Sequence, residues 1–172
     1  MIVLPNSYSQ PSKPSEYQVK AAFLCNFAKF IEWPNESITD SNTTMNLFVL
    51  GEDPFGPDLD AIQGMTIKGR NLVIRRIKSV KDLSNCHMLF ICESEKDRLE
   101  EILRSLKGSS VLTMSDTEGF GQRGVIINLY IQERRVRFEI NVEAAKRVGL
   151  KISSKLLQLG KIVYSAPHEK DN

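Results

Sequence analysis

Two carboxylates, an aromatic ring and a guanidinium group are clustered in one short segment of the sequence. Asp116 and Glu118 follow a predicted strand, and Phe120 and Arg123 come directly after them. In open α/β sheets the loops that follow strands line the ligand crevice, so these four residues are candidate contacts of a ligand or a partner. Turn chemistry, in which Asp116 satisfies neighbouring backbone donors, is the competing and more ordinary interpretation.

The same segment contains a glycine motif. Gly119–Gly124 satisfies G-x-G-x-x-G, which in a dinucleotide site follows a strand and opens a helix. Here the apolar β-type run Val125–Ile131 follows it instead. Without a helix N-terminus the dipole that holds a pyrophosphate is missing. We therefore expect a loop in which the glycines adopt positive φ angles before a β-hairpin, with no nucleotide cofactor.

Three polar side chains alternate along the second arm of that hairpin. Arg137, Glu139 and Asn141 are two residues apart, so in a strand they share one face. An ordinary surface ladder explains this pattern, and a pocket for a small polar ligand is the alternative. We retain all three residues as candidate contacts.

The cysteines and histidines do not form a catalytic or zinc-binding pattern. Cys86 and Cys92 lie in one predicted strand, roughly 20 Å apart at about 3.3 Å per residue, too far for a disulfide. Cys86 and His87 are adjacent and would point to opposite faces. We expect all three cysteines to be buried thiols, with a bridge from Cys25 to Cys86 or Cys92 left open. No metal, cofactor or catalytic residue is predicted, and we do not expect an enzyme.

Composition narrows the class of protein. The chain has 172 residues, a net charge of +2 and 41% hydrophobic residues, which is typical of a globular domain with a real core. So balanced a charge does not suggest a nucleic-acid surface. No apolar run is long enough to span a membrane. Met1–Leu4 is too short for the apolar core of a signal peptide, which leaves a cytosolic protein and a missing leader as alternatives.

Hydrophobic periodicity and turn signals predict one α/β sandwich. We expect a flexible segment over 1–14, a single domain over 15–164 and a polar tail over 165–172. The central sheet should be mixed, with parallel strands first and an antiparallel C-terminal hairpin, and helices should flank it. Predicted helices cover 16–32, 57–62, 94–107 and the residues after Asn141 to 148, with Ser15, Ser94 and Asn141 as the predicted N-caps of three of them. A last helix from Ser153 or Ser154 carries Ile162, and a helical turn covers 79–83. Predicted strands cover 45–50, 71–77, 87–92, 110–114, 125–131 and 136–140.

Six blocks of the sequence, taken in order, resemble the YfiR family over about residues 16–163. No single block identifies the family, but six blocks in the same order make a specific signal. They are AAFLCNFAKFIEWP within Tyr17–Pro34, Val49-Leu50-Gly51 with Pro54-Phe55-Gly56, Cys86–Ile91, Leu112-Thr113 with Ser115-Asp116 and Gly119-Phe120, Arg137–Asn141, and Ile152–Leu157.

The resemblance implies a small dimeric α/β protein of the bacterial periplasm that catalyses no reaction. It would bind the periplasmic part of a membrane-bound diguanylate cyclase, hold it inactive and so lower cyclic di-GMP and biofilm formation. Its C-terminal helices and hairpin are our candidate partner surface. A periplasmic small-ligand sensor is the alternative function, and redox state and small ligands are thought to tune such proteins.

Two features of the sequence separate it from the best-known member of that family. It shows no leader, and it has no cysteine pair in the 116–128 region, where that member carries a redox-sensitive disulfide. Redox control through such a bridge is therefore not expected here. We expect Phe120 to be exposed in its loop, so that Phe120→Ala should weaken regulation without unfolding the domain.

Overall fold

A computed structural model describes residues 12–34 and 43–167. Most of the predicted flexible segment 1–14, part of the predicted polar tail and most of the loop before residue 44 lie outside the described residues. In chain order the elements are α1 (Glu16–Lys29), β1 (Ile31–Glu32), β2 (Thr44–Leu50), α2 (Pro57–Asp60), β3 (Thr66–Ile67), β4 (Arg70–Ile77), a 3-10 helix (Val80–Asp82), β5 (Met88–Ile91), a 3-10 helix (Glu93–Arg98), α3 (Leu99–Ser105), β6 (Leu112–Ser115), β7 (Ile127–Gln132), β8 (Arg135–Asn141), α4 (Val142–Arg147), β9 (Lys151–Ile152), α5 (Ser154–Leu159) and β10 (Lys161–Val163).

The central sheet is mixed and has eight strands in the order β10-β8-β7-β6-β5-β2-β4-β3. Strands β4, β2, β5, β6 and β7 are parallel, whereas β8 runs antiparallel to β7 and β10 runs parallel to β8. The predicted α/β class with a mixed central sheet is confirmed. At the C-terminal side of the sheet the antiparallel pairing begins with the second arm of the hairpin, because the first arm, β7, is parallel to β6. At the other edge, β3 pairs antiparallel with β4.

Both faces of the sheet are buried. Residues alternate along β2, so that Leu47 and Val49 face one core while Phe48 and Leu50 face the other. Near-continuous apolar strands of this kind are expected at the centre of a parallel sheet covered on both sides. The larger core packs against α1, with the Phe27 and Phe138 rings 4.9 Å apart. The smaller core lies under α3 and the loop that joins β6 to β7.

Helix α1 begins where the sequence predicts and ends earlier. The Ser15 side chain accepts a hydrogen bond from the Gln18 backbone N–H, and Gln18 Oε1 accepts one from the Ser15 N–H, which together form a capping box. The helix ends at Lys29, and Ile31–Glu32 pairs antiparallel with β9. The predicted end at residue 32 was therefore wrong, because tertiary strand pairing overrides the helical pattern.

The helix after β5 also differs from its prediction. Residues 93–98 form a 3-10 helix, and the α-helix starts only at Leu99. Ser94 does not cap it: the Ser94 hydroxyl accepts from the Glu52 backbone N–H at 2.9 Å. Gly51 lies against this hydroxyl, since a Cβ at residue 51 would be 2.4 Å from it. Ser94 thus ties together two loops at the carboxyl edge of the sheet.

The hairpin and the C-terminal region build one edge of the sheet. The hairpin turns through Glu133 and Arg134, which both have positive φ angles, as a two-residue type I′ turn requires. Asn141 caps α4 as predicted, accepting from the Ala144 N–H at 3.0 Å. Ser153 caps the last helix, but Ile162 lies in β10 and not on that helix. A short edge strand therefore replaces the predicted end of α5.

Candidate ligand-binding cleft

A cleft of about 1010 Å³ opens at the carboxyl ends of the parallel strands. Glu52 follows β2, Glu93 and Ser94 follow β5, and Asp116 follows β6. This is where ligands bind in open α/β sheets. The lining side chains include six carboxylates and two lysines. The charged ones are Glu16, Lys20, Glu52, Glu93, Asp116, Glu118, Glu139 and Lys161.

One wall of the cleft is a charged network centred on Asp116. Its Oδ2 accepts from the Lys20 ammonium at 2.8 Å and from the Tyr17 hydroxyl at 2.9 Å. Lys20 also pairs with Glu16 at 2.6 Å, one helical turn away on α1. The Lys20 side chain is 4% exposed and that of Asp116 is 9% exposed. Lys20 and Asp116 thus form a buried ion pair, with the exposed Glu16 carboxylate on its outer side.

The protonation states of this network follow from its contacts. Burial, with the negative charge and hydrogen bond of Asp116, raises the pKa of Tyr17 to about 12, so the phenol is neutral and donates. Burial of Lys20 disfavours its charged form, but hydrogen bonds to Asp116 and Glu16 outweigh this and raise its pKa. Both groups therefore keep their protons near neutral pH, and they hold the Asp116 carboxylate in position.

A second wall is built from neighbouring residues of the hairpin. Asn128 and Glu139 are register partners in β7 and β8. The Asn128 amide nitrogen donates to Glu139 Oε1 at 3.2 Å and to the Thr117 carbonyl at 2.8 Å. Asn128 is 2% exposed and Glu139 8% exposed. A carboxylate is therefore held at the base of the cleft by a buried amide.

The glycine-rich loop closes over this wall. A Cβ on Gly121 would lie 2.6 Å from Glu139 Oε1, so only glycine lets the loop approach so closely. The Asn141 amide donates to the Gly121 carbonyl at 2.9 Å and holds the loop in place. Gly119 and Gly124 have positive φ angles, as predicted, whereas Gly121 is needed for the close approach. Strand β7 follows the loop, with no helix for a pyrophosphate.

Five of the seven predicted contact residues lie in three different places. Asp116, Glu118 and Glu139 line the cleft. Arg123 lines a different groove, of about 560 Å³, beside α3 and α4, and donates to the Lys96 carbonyl. Arg137 is exposed at the outer part of the hairpin.

Asn141 and Glu139 are both buried. The three residues therefore do not form the surface ladder considered for Arg137, Glu139 and Asn141, because only Arg137 is exposed. Because β10 covers β8 only at 139–141, Glu139 and Asn141 are enclosed and Arg137 is not.

Phe120 is buried, and the prediction that it is exposed was wrong. Its ring is 0% exposed and belongs to the smaller core with Phe48 and Leu89. The loop from β6 to β7 folds back over the sheet and turns this ring inward, while Arg123 lies over it, 5.4 Å from its centroid. Phe120 therefore stabilises the fold and does not present a contact to a partner.

Sequence reasoning missed Lys20 and Asn128, which contribute most to the two walls. Lys20 lies one helical turn from Glu16, and a Glu–Lys pair at this spacing is usually an ordinary ion pair on a helix surface. Its position within the otherwise apolar stretch of α1 was the available signal. Asn128 interrupts the apolar run of β7, and a polar residue in such a run indicates a specific hydrogen-bonding role.

All three cysteines are free thiols in the structure. Cys25 and Cys92 are buried as predicted, but Cys86 is only partly buried, so the prediction was wrong for that residue. Burial raises the pKa of Cys25, and it raises that of Cys86 and that of Cys92 to about 12. These are unreactive thiols. His87 is 3% exposed and its Nδ1 accepts from the Asn46 N–H at 3.0 Å. The Cys86 thiol donates to the Met88 carbonyl at 3.2 Å and not to His87.

No cluster of three or more potential metal ligands occurs among residues 12–34 and 43–167. Within the same ranges, no helix combines the length and the apolar character needed to cross a bilayer. The described residues thus bring together groups that can bind a ligand, without a nucleophile paired to a base.

Comparison with known protein families finds one family that matches this chain. A family model described as YfiR/HmsC-like matches residues 17–161, which is most of the chain. The chain belongs to the YfiR/HmsC-like family. The family consists of regulatory, non-catalytic proteins of the periplasm. The match includes both walls of the cleft and ends at Lys161, the first residue of β10.

Proposed function

We propose that this protein is a non-enzymatic periplasmic regulator that binds the periplasmic part of a membrane-bound diguanylate cyclase. Binding holds the cyclase inactive and lowers cyclic di-GMP. Membership of the YfiR/HmsC-like family supports this function. The structural observation that carries it is an apolar surface at one edge of the sheet.

This surface, the C-terminal edge, comprises residues 159–164. Among the described residues, five large hydrophobic side chains are exposed, and three of them lie in this short segment. Leu159 is 72% exposed, Ile162 37% and Tyr164 66%. Exposed apolar side chains that cluster mark interaction sites more often than single ones do.

The C-terminal edge also offers backbone hydrogen bonds. Strand β10 pairs with β8 on one side and is the last strand of the sheet. An edge strand can accept another chain by strand addition, in which backbone bonds give affinity and side chains give specificity. Ile131 lies at the tip of the neighbouring hairpin and is 47% exposed. The C-terminal edge and this tip are the surface that we assign to the cyclase.

The test is an affinity pull-down of the tagged, exported protein from detergent-solubilised membranes, followed by mass spectrometry. The wild type is compared with the double variant Leu159→Gln, Ile162→Gln. Met65→Gln is the matched control, because Met65 is 45% exposed and precedes β3, at the opposite edge of the sheet.

Recovery of a membrane diguanylate cyclase by the wild type and Met65→Gln, but not by the double variant, is the expected result. Equal recovery by all three proteins would place the contact elsewhere. Failure of the wild type to recover any cyclase would refute a stable complex as the resting state.

A homodimer is part of the same proposal, as the family resemblance implies. Light scattering of the purified protein should give twice the mass of the 19.5 kDa chain. A mass equal to one chain over the tested concentrations would exclude the dimer.

A small-ligand sensor is the second candidate function, and the cleft at the carboxyl edge favours it. Its volume is in the usual range for small-molecule sites. Asp116, Glu118 and Glu139 provide convergent polar groups. The two functions are compatible, since a ligand that binds one state of the protein better shifts the population of the state that binds the partner.

A further inference from the structure

The carboxylate of Glu139 has no counter-ion in the described part of the chain. It is 8% exposed, and its only hydrogen-bond donor there is the Asn128 amide. A buried carboxylate is costly unless it is paired with a cation and its remaining acceptor sites are filled. Lys161 is the register neighbour of Glu139 in β10 and lines the same cleft, yet the two form no ion pair within the described residues.

Asn128 has a second polar atom in this part of the cleft that lacks a hydrogen-bond partner among the described residues. Its Oδ1 is buried and accepts no hydrogen bond in the described ranges 12–34 and 43–167. The amide orientation is determined by its partners, because the nitrogen faces two acceptors, the Thr117 carbonyl and Glu139 Oε1. Gln122 Oε1, also in the lining, is a second buried acceptor without a donor in that part of the chain. Buried acceptors in proteins are nearly always hydrogen-bonded, so a ligand that donates hydrogen bonds would satisfy these two.

The charged side chains that line the cleft are mostly negative. The two carboxylates nearest Lys20, Glu16 and Asp116, are neutralised in part by its ammonium group. Lys161 is the other cationic side chain among the lining residues. The remaining carboxylates are four: Glu52, Glu93, Glu118 and Glu139. A concave site in which carboxylates outnumber ammonium groups concentrates ligands of positive charge.

We propose that the cleft binds a small organic cation through an ammonium or guanidinium group that donates to Glu139 and Asn128. This inference rests on the sensor function proposed above and names the class of its ligand, and it does not depend on binding to a cyclase. Lys161 would be displaced from the neighbourhood of Glu139 by the ligand and would weaken its binding by like-charge repulsion.

The experiment is calorimetric titration of the full chain at low ionic strength with four probes that share a four-carbon chain. Putrescine and agmatine carry the proposed groups, butane-1,4-diol is the neutral counterpart, and succinate is the anionic counterpart. The variants are Glu139→Gln and Lys161→Gln. Glu101→Gln is the matched control, because Glu101 is exposed on α3 and does not line the cleft.

Glu139→Gln is expected to fold, because Gln can still accept from the Asn128 amide, and thermal unfolding of each variant checks this. We expect at least one of the two cations to bind the wild type and the Glu101→Gln control equally. Glu139→Gln should weaken this binding about tenfold or more, because a charge-assisted hydrogen bond is lost. Lys161→Gln should leave binding unchanged or make it tighter.

Three results would overturn the proposal, and they differ in what they say of the sensor function. Binding of succinate, lost in Lys161→Gln, would retain a sensor and reject the cationic class. Cation binding that is equal in Glu139→Gln and in the control would place the cation outside this cleft. Absence of binding by all four probes would reject the cation and leave the sensor function without support.

Discussion

Replacing Phe120 by alanine tests the observation that most changes the interpretation of the sequence. The ring is 0% exposed in the smaller core, against Phe48, Leu89 and Ile91. Truncation of a buried phenylalanine costs about 3–5 kcal/mol, from lost apolar burial and from the cavity left behind. The lower part of this range applies if the loop that carries Phe120 collapses into the cavity, since no helix holds that loop. The free energy of unfolding of a typical domain is about 5–15 kcal/mol, so the variant should still fold, with reduced stability.

Urea unfolding followed by tryptophan fluorescence measures this loss. Trp33 is the chain's single tryptophan, is 5% exposed and packs in the larger core, on the other side of the sheet from Phe120. Its signal therefore reports unfolding of the domain and not a local change. With a slope of about 2 kcal/mol per molar urea, a loss of about 4 kcal/mol lowers the midpoint by about 2 M.

Two controls bracket the effect. Phe120→Leu keeps most of the volume and should cost less than about 1.5 kcal/mol. Met65→Ala removes an exposed side chain and should stay within about 0.5 kcal/mol of wild type. A loss below about 1 kcal/mol in Phe120→Ala would contradict the packing of this loop and restore the interpretation of Phe120 as a surface contact.

Three further predictions concern the buried charges and thiols. Lys20→Met should destabilise the protein by about 3 kcal/mol in urea unfolding, because Asp116 loses its cation while partly buried; an unchanged midpoint would refute the pairing. Tyr17 and Lys20 both have raised pKa values in the folded state, so they bind protons more tightly there than in the unfolded chain. Stability should therefore fall as the pH rises from about 10 towards 12, and Tyr17→Phe should remove part of that fall; a pH dependence identical to wild type would contradict it. Cys25 and Cys92 are buried and should resist alkylation near neutral pH until denaturant is added, as counted by mass spectrometry; rapid labelling of either in the native protein would disprove burial.

Local signals in the sequence were reliable. Ser15 and Asn141 were predicted as helix caps, and both make the expected side-chain bonds. The hairpin around Gln132 to Arg135 was predicted from an apolar run and an alternating run on either side of a polar turn. Each of these depends on contacts within a few residues, which is why the sequence alone can identify them.

Features that depend on distant contacts were missed. Strands β1, β9 and β10 have two or three residues, too few to show a period of two, and they exist because other strands lie beside them. Alternation placed Arg137 and Glu139 on one face, but only the position of β10 makes Glu139 buried. Phe120 was misjudged because a glycine-rich loop usually lies at the surface, whereas this one covers a core.

The central claim is that this protein restrains a diguanylate cyclase through the C-terminal edge, and the cellular cyclic di-GMP concentration tests it most directly. Cells of the native host that lack the protein are compared with cells that export the wild type, the Leu159→Gln, Ile162→Gln variant or Met65→Gln. We predict that loss of the protein raises cyclic di-GMP, and that wild type and Met65→Gln restore the low level while the double variant does not. An unchanged cyclic di-GMP concentration on loss of the protein would contradict the account.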